Sequence, residues 1–367
     1  MNEVLSDYIE WCKEPCKESQ AIEIKNLYEN ERFQKLYKYT EENPNIVADV
    51  LKILGSFLKE MDISKACATA HFCGALIESN NVFDIGNNLI DLFEKVINLS
   101  AECITKIPDI NNVDWNILLE NFPNEVKAYH GSELLTLAIM AVITRTSESR
   151  YYLREKKLYQ KLELLEPYIR SIVYVTFVHD ACYDFKVLVL APEIRKGFWM
   201  KVHDIHNCFY LFTLLEAELY KKGWHNDYGL KDYTFNEEIY NTAIGTFYPK
   251  KVYTIEAHCS YQTYLAINGQ EEEKSNLSNM IFGEMPPEYL PKLKGCPIIV
   301  MKEDNIKGRR SWDSNFSSKC HDGLSPHIEI LEKLTEKEVE EWIDSLLNKE
   351  QEKGIISKIQ KFIKSLK

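Results

Sequence analysis

The sequence predicts a mainly α protein: a multi-helix bundle or irregular α-solenoid-like N-terminal body, followed by a smaller α+β C-terminal module. Three observations lead there. Apolar residues recur at three- and four-residue spacing almost continuously to about residue 183, which is the stripe of an amphipathic helix. Short β-branched runs begin only after that point. Hydrophobic residues at 45% and charged residues at 27% exclude a disordered or fibrous chain. With 367 residues the chain exceeds one ordinary domain. The expected division is a helical domain over 1–183, an α+β module with short strands over 184–334, and C-terminal helices over 335–367.

The helical body is clearest in three consecutive segments. In "NIVADVLKILGSFLKEM", Ile46, Val50, Ile53, Leu54, Phe57 and Met61 fall on one face. Asp62 is placed to cap the next segment, "DISKACATAHFCGALIES", where Ala66, Ala70, Cys73 and Ile77 repeat the spacing. "VFDIGNNLIDLFEKVINL" continues it through Phe83, Leu89, Leu92, Phe93 and Val96. The small residues Ala66, Ala68, Ala70, Gly74 and Ala75 would let neighbouring helices approach closely. No fixed repeat period is present.

Past residue 183 the pattern changes. "FKVLVLAP" and "GFWMKVHDI" form an expected hairpin around "PEIRKG". The helix "NCFYLFTLLEAELYKKG" follows and stops at Gly223. A further helix is expected near 236–247, with strands in "KVYTIEAHCSYQTYLAI" and "CPIIVM" and an exposed linker in "NGQEEEKSN". Thr335 and Glu338 have the spacing of a capping box opening a last helix, "LTEKEVEEWIDSLL".

Charge narrows the partners. The net charge is −12, yet Lys353–Lys367 holds five lysines and no acid, so the rest carries −17. A body this acidic repels phosphate backbones, which disfavours duplex nucleic acid and favours a basic protein. The ten cysteines lie mostly in apolar helical runs, as in "ACATAHFCGAL", the behaviour of free buried thiols in a reducing compartment. "MNEVLSDYIEW" has no basic region followed by an apolar stretch, so no signal peptide is expected. The apolar run Leu134–Ile143 is about half the roughly 20 residues that span a bilayer. A cytoplasmic protein is expected.

Three His-Asp pairs raise the question of catalysis: His179-Asp180, His203-Asp204 and His321-Asp322. His130, His179-Asp180 and Asp204 resemble, in order, the ligands of the HD-type metal-dependent phosphohydrolases, which use a separate His, an adjacent pair and a distant Asp. The surroundings depart from that pattern. "FVHDACYDF" lacks the small, glycine-rich sequel, and His130 sits in "YHGSE" without an acid in a matching context. In "HDIHN", His203 and His206 would share a face only on a helix; as the end of a strand they diverge, and Asp204 or Asn207 becomes the cap of the helix that follows. No glycine-rich phosphate loop, G-x-S-x-G, H-E-x-x-H or paired C-x-x-C occurs. "CKEPC" at 12–16 has no second pair. No cofactor and no metal is expected.

Residues 308–327, "GRRSWDSNFSSKCHDGLSPH", hold more polar chemistry than packing requires. The expectation is a folded loop after the strand "PIIVM". Trp312 and Phe316 would anchor it, Asp313 and Asn315 would bond backbone amides, and Arg309 and Arg310 would pair with acids or face a partner. Cys320, His321 and Asp322 adjoin in sequence, whereas thiol–imidazole pairs ordinarily meet from separate elements. The tail "GIISKIQKFIKSLK" is amphipathic, with Phe362 among its apolar residues and Lys358, Lys361, Lys364 and Lys367 opposite. It suits docking on the acidic body or on a second copy, or contact with an anionic membrane.

Together these readings describe a non-catalytic bacterial protein-binding or regulatory protein, immunity- or adaptor-like, that uses an acidic helical surface. The alternatives are an unfamiliar metal-dependent hydrolase built on the His-Asp pairs, or a peripheral membrane effector acting through the C-terminal basic helix.

Overall fold

The structure, a computed structural model, describes residues 2–347 apart from 17, 83, 108–109, 249–250, 252, 265–266, 268–278 and 313–319. For 18–19, 111, 181, 254–259 and 303–312 it describes the backbone alone. The chain forms two compact units, dividing between Asp180 and Ala181.

The first unit is helical throughout: α1 (Glu3–Lys13), α2 (Glu18–Ile22), α3 (Glu31–Glu42), α4 (Val47–Phe57), α5 (Ile63–Asn80), α6 (Gly86–Thr105), α7 (Trp115–Asn121), α8 (Pro123–Ile143), α9 (Ser147–Glu155), α10 (Tyr159–Leu165) and α11 (Ile172–Ala181). Polar residues at the breaks set the starts. Asn2, Asn30, Asp62, Asp114 and Thr146 each accept a hydrogen bond from the first turn they precede, satisfying donors that the helix itself leaves unpaired.

At the centre, α8 packs against both α5 and α6. A carbon placed at Gly74 of α5 would lie 2.7 Å from Ala138 Cα, and one at Gly131 of α8 would lie 2.6 Å from the Cys67 sulfur. Of the small residues foreseen in α5, Gly74 is the one at which the two backbones come together, while Ala75 is exposed. Among the described residues α8 is the one helix long and apolar enough to cross a membrane, but 78% of its apolar window is buried inside the fold. It is a core helix.

Polar anchors fix this packing. Asp62 caps α5 through Ser64 N–H at 3.0 Å and accepts the Lys127 ammonium of α8 at 2.6 Å. Lys65, 2% exposed, donates to the carbonyls of Trp11 and Glu14 at 2.6 and 2.8 Å, satisfying the C-terminal end of α1. The Arg150 guanidinium does the same for α8 at the Ile143 carbonyl, 2.7 Å. Asp91 of α6 gathers Lys59, Lys156 and the Tyr152 hydroxyl at 3.0, 2.7 and 2.7 Å. That contact joins α6 to α9 and its sequel.

The second unit contains β1 (Tyr183–Ala191), β2 (Lys196–Ile205), α12 (Cys208–Lys221), α13 (Glu237–Ala243), β3 (Tyr253–Thr263), β4 (Lys292–Leu293), β5 (Cys296–Trp312) and β6 (His327–Lys333), then α14 at 336–347. The sheet order is β3-β5-β1-β2-β6, with β4 beside β5. The β1–β2 hairpin turns through Arg195 in the left-handed region, φ 50°. β1 is central, antiparallel to β2 and parallel to β5. Its run "VLVLA" supplies both faces. Val187, Val189 and Ala191 join the core that includes Leu211 and Leu215 of α12, while Leu188 and Leu190 join Val339 and Leu346 of α14. A strand covered on both sides loses the polar alternation of a surface strand. Thr335 and Glu338 exchange the reciprocal bonds of a capping box at the start of α14.

One expectation is corrected. After "PIIVM" the chain stays in β5 as far as Trp312, with a register shift against β3 between Glu303 and Gly308, so residues 308–312 are strand, while 320–326 form a turn as expected and 313–319 lie outside the described residues. Arg309, Arg310 and Trp312 pair in register with Glu256, Ile255 and Tyr253 of β3. The β3 backbone offers a ladder to residues 308–312, a stretch that carries no strand pattern of its own.

The tight crossing has a measurable consequence. Gly74→Val is expected to lower the unfolding free energy by about 1–3 kcal/mol through overpacking. Ala75→Leu, on the exposed side of the same helix, should stay within about 0.5 kcal/mol. Urea unfolding followed by circular dichroism checks both, and equal effects would show that the crossing is loose.

Candidate functional site

The turn before α7 builds one wall of a cleft in the helical unit. Asp114 Oδ1 accepts the N–H groups of Asn116 and Ile117 at 3.1 and 3.2 Å, which starts the helix. Trp115 follows, half-buried, its indole stacked on Tyr129 of α8 at 5.1 Å and 12° between planes. His130 meets the same indole edge-on at 4.5 Å. The other wall is the end of α2, where Glu23 accepts the Asn26 side-chain amide at 2.8 Å. Beneath lies a small core of Ala21, Cys103, Leu119 and Val126. The cleft is an open surface depression of about 740 Å³ between Ile22, Glu23, Asn112, Val113, Asp114, Trp115 and Asn116.

Its electrostatics have one sign. Among the described residues two carboxylates and no basic side chain line it. Neither Glu23 nor Asp114 has an ion pair among the described residues. Burial pushes the His130 imidazole down to about 4, so at neutral pH it adds no positive charge behind Trp115. Among the described residues its Nε2 has no hydrogen-bond partner. The arrangement suits a cation with an aromatic or planar contact.

The second concentration of titratable groups lies at one end of the sheet. The β1–β2 register shifts between Tyr183 and Phe185, so that His203 and Asp204 together oppose Asp184. Asp204 takes φ 54° there, a left-handed conformation that aspartate tolerates better than most residues. The bulge brings groups from distant segments together. His203 Nδ1 lies 3.8 Å from Asp184 Oδ1, and the same oxygen accepts Asp204 N–H at 3.3 Å. Asp204 Oδ2 accepts Ser325 N–H at 2.6 Å. His327 donates Nδ1–H to the Ser325 carbonyl and stacks on His203 at 4.3 Å, 8° between planes. Burial holds His203 below its ordinary pKa; His327 and Lys201 add to that, while Asp184 and Glu329 oppose it. The geometry clasps the 320–327 turn to the strand ends. The Asp204 carboxylate is occupied with backbone, which leaves it a structural clamp.

The remaining sequence candidates separate. His179 and Asp180 bond to each other at the end of α11, and the His179 carbonyl accepts Arg154 Nε–H at 2.8 Å. His206 leaves His203 and packs on Tyr210 at 4.2 Å, while Asn207 caps α12 through Tyr210 N–H. His321 accepts Gly323 N–H within its own turn. Burial raises the nearby Cys320 thiol to about 11, so it is no thiolate at neutral pH. Among the described residues no three His, Cys, Asp or Glu groups are placed to hold a metal ion. The side chains of Arg309, Arg310 and Trp312, all of Asp313 and Asn315, the linker 268–276, and Lys358, Lys361, Phe362 and Lys364 of the basic tail lie outside the described residues.

Glu23, Asp114, Trp115, Asp184 and His327 were not singled out from the sequence as site residues. The string "VDWN" does carry a capping signal, but Glu23 is about ninety positions away, and no local pattern connects the two.

Buried histidines predict an acid sensitivity. Burial depresses His130 and His206 to about 4 from the ordinary imidazole value of 6.5. The unfolded chain therefore binds more protons than the folded one between those values. Their contribution is fully present above 6.5 and is lost as pH falls toward 4. Urea unfolding between pH 6.5 and about 5 should show decreasing stability, with a shallower slope in His206→Gln. An unchanged slope would mean that His206 is solvated.

Comparison with family models, with curated proteins and with solved structures finds no match for this chain.

Proposed function

We propose that this chain is a non-catalytic protein-binding protein whose helical unit holds a basic partner through an acidic surface. The observation that carries the reading is the placement of charge. Residues 1–144 contain 23 acidic and 12 basic residues, whereas 145–180 contain 5 and 7. Within the helical unit the negative field thus belongs to α1 through α8. Many of the lysines and arginines there are committed to ion pairs, as Lys13, Arg32, Lys35 and Lys127 are. Glu3, Glu29, Glu41, Asp49, Glu102 and Glu120 are exposed and have no ion pair among the described residues.

A one-signed field of this kind steers an oppositely charged protein and rejects like-charged ones, acting more on association rate than on final affinity. It disfavours phosphate backbones. The free, mostly buried cysteines support a reducing setting such as the cytoplasm. An immunity- or adaptor-like role against a basic protein is the function that fits.

Affinity purification from the source cells at about 50 mM and about 300 mM salt tests this. A basic protein should be retained at the lower salt and released at the higher. Reversing Glu29, Glu41 and Asp49 to lysine should weaken retention without changing the circular dichroism spectrum. Retention of no basic protein, or retention indifferent to the reversals, would overturn the reading.

A further inference from the structure

We infer that the cleft between Glu23 and Trp115 receives a single arginine side chain of the bound partner. The inference rests on the acidic-surface reading and adds the chemistry of one contact to it.

The cleft presents three features that together select a guanidinium group. Each wall contributes one carboxylate, Glu23 from the end of α2 and Asp114 from the turn before α7. Asp114 uses Oδ1 to cap α7, and among the described residues its Oδ2 has no partner. Glu23 Oε2 accepts the Asn26 amide, which orients the carboxylate without neutralising it. Among the described residues no lysine or arginine lines the space. An anionic ligand would meet repulsion there, and a wholly apolar one would strip water from two carboxylates without replacing their hydrogen bonds.

The aromatic wall separates arginine from lysine. Trp115 is held at a fixed angle by Tyr129 stacked behind it and His130 at its edge. A planar guanidinium stacks on such a ring while its N–H fork reaches carboxylates, whereas an ammonium offers a point charge with a tighter water shell. The volume of about 740 Å³ exceeds one side chain, which leaves room for flanking peptide backbone beside Asn116.

The test follows the Trp115 indole N–H resonance in the ¹⁵N-labelled full chain, assigned with Trp115→Phe. The probes are the tripeptides Gly-Arg-Gly, Gly-Lys-Gly and Gly-citrulline-Gly. Gly-Arg-Gly should shift that resonance saturably, Gly-Lys-Gly should bind more weakly, and the uncharged citrulline peptide should leave it unmoved. Glu23→Gln and Asp114→Asn keep the acceptor oxygens and the cap but remove charge, and each should weaken Gly-Arg-Gly by about two- to fivefold. A silent Trp115, an equal response to citrulline, or unchanged affinity in both variants overturns the arginine site. Polylysine binding separates the two proposals. Equal salt-dependent binding by the unaltered protein and by the double variant, with Trp115 silent, removes the pocket and retains the acidic surface. Saturable Gly-Arg-Gly binding without polylysine binding does the reverse.

Discussion

The close crossing of α5 and α8 is the constraint on which the helical unit depends. Two glycines, Gly74 and Gly131, admit the opposing helix at distances that a single methyl group would block. Backbones that approach this closely place many atoms in van der Waals contact, and each contact is weak but their sum is large. The cost is that glycine is a poor helix former. Polar groups at the ends offset this. Asp62 both starts α5 and binds Lys127 of α8, so one carboxylate sets the register of the pair. Burial alone would raise its pKa, but Lys127 and the Cys16 N–H hold it below the usual value. A charge so placed is costly to strand, and removal of either partner leaves the other uncompensated.

From that crossing the position of the cleft follows. Tyr129 and His130 precede Gly131 on α8, and Trp115 stacks on the first and meets the second edge-on. The indole is therefore fixed by the same helix that carries the core. The small apolar cluster of Ala21, Cys103, Leu119 and Val126 ties α2, α6, α7 and α8 beneath it. A rigid aromatic on a rigid helix presents contact area at little entropic cost. The second unit solves a different problem. A central strand with both faces covered provides its stability, and the bulge at His203–Asp204 closes one end with side chains from β1, β2 and β6. Its histidines and aspartates are spent on holding a turn.

Much of this was legible in the residue order. The capping role of Asp62, the small-residue face of α5, the hairpin around "PEIRKG" and the Thr335–Glu338 box depend on neighbours within a few positions, which a linear reading can see. The extension of β5 was not legible. "KEDNIKGRRSW" has neither alternation nor β-branched enrichment, and it becomes a strand because β3, some fifty residues earlier, offers a ladder to it. The His-Asp pairs were legible only in part. His179 and Asp180 do bond to each other, but at the β1–β2 bulge the groups that meet are His203 with His327 and Asp184 with Asp204.

Composition and periodicity were enough for the class of fold, the net charge and several helix starts, because those follow from short-range sterics and from summed charge. Which carboxylates, rings and imidazoles face one another required the folded chain. Glu23 and Trp115 come to line one cleft, and Asp204 reaches Ser325, only after helices and strands far apart in sequence have packed. Closing such long loops is determined by the whole core and by no local pattern.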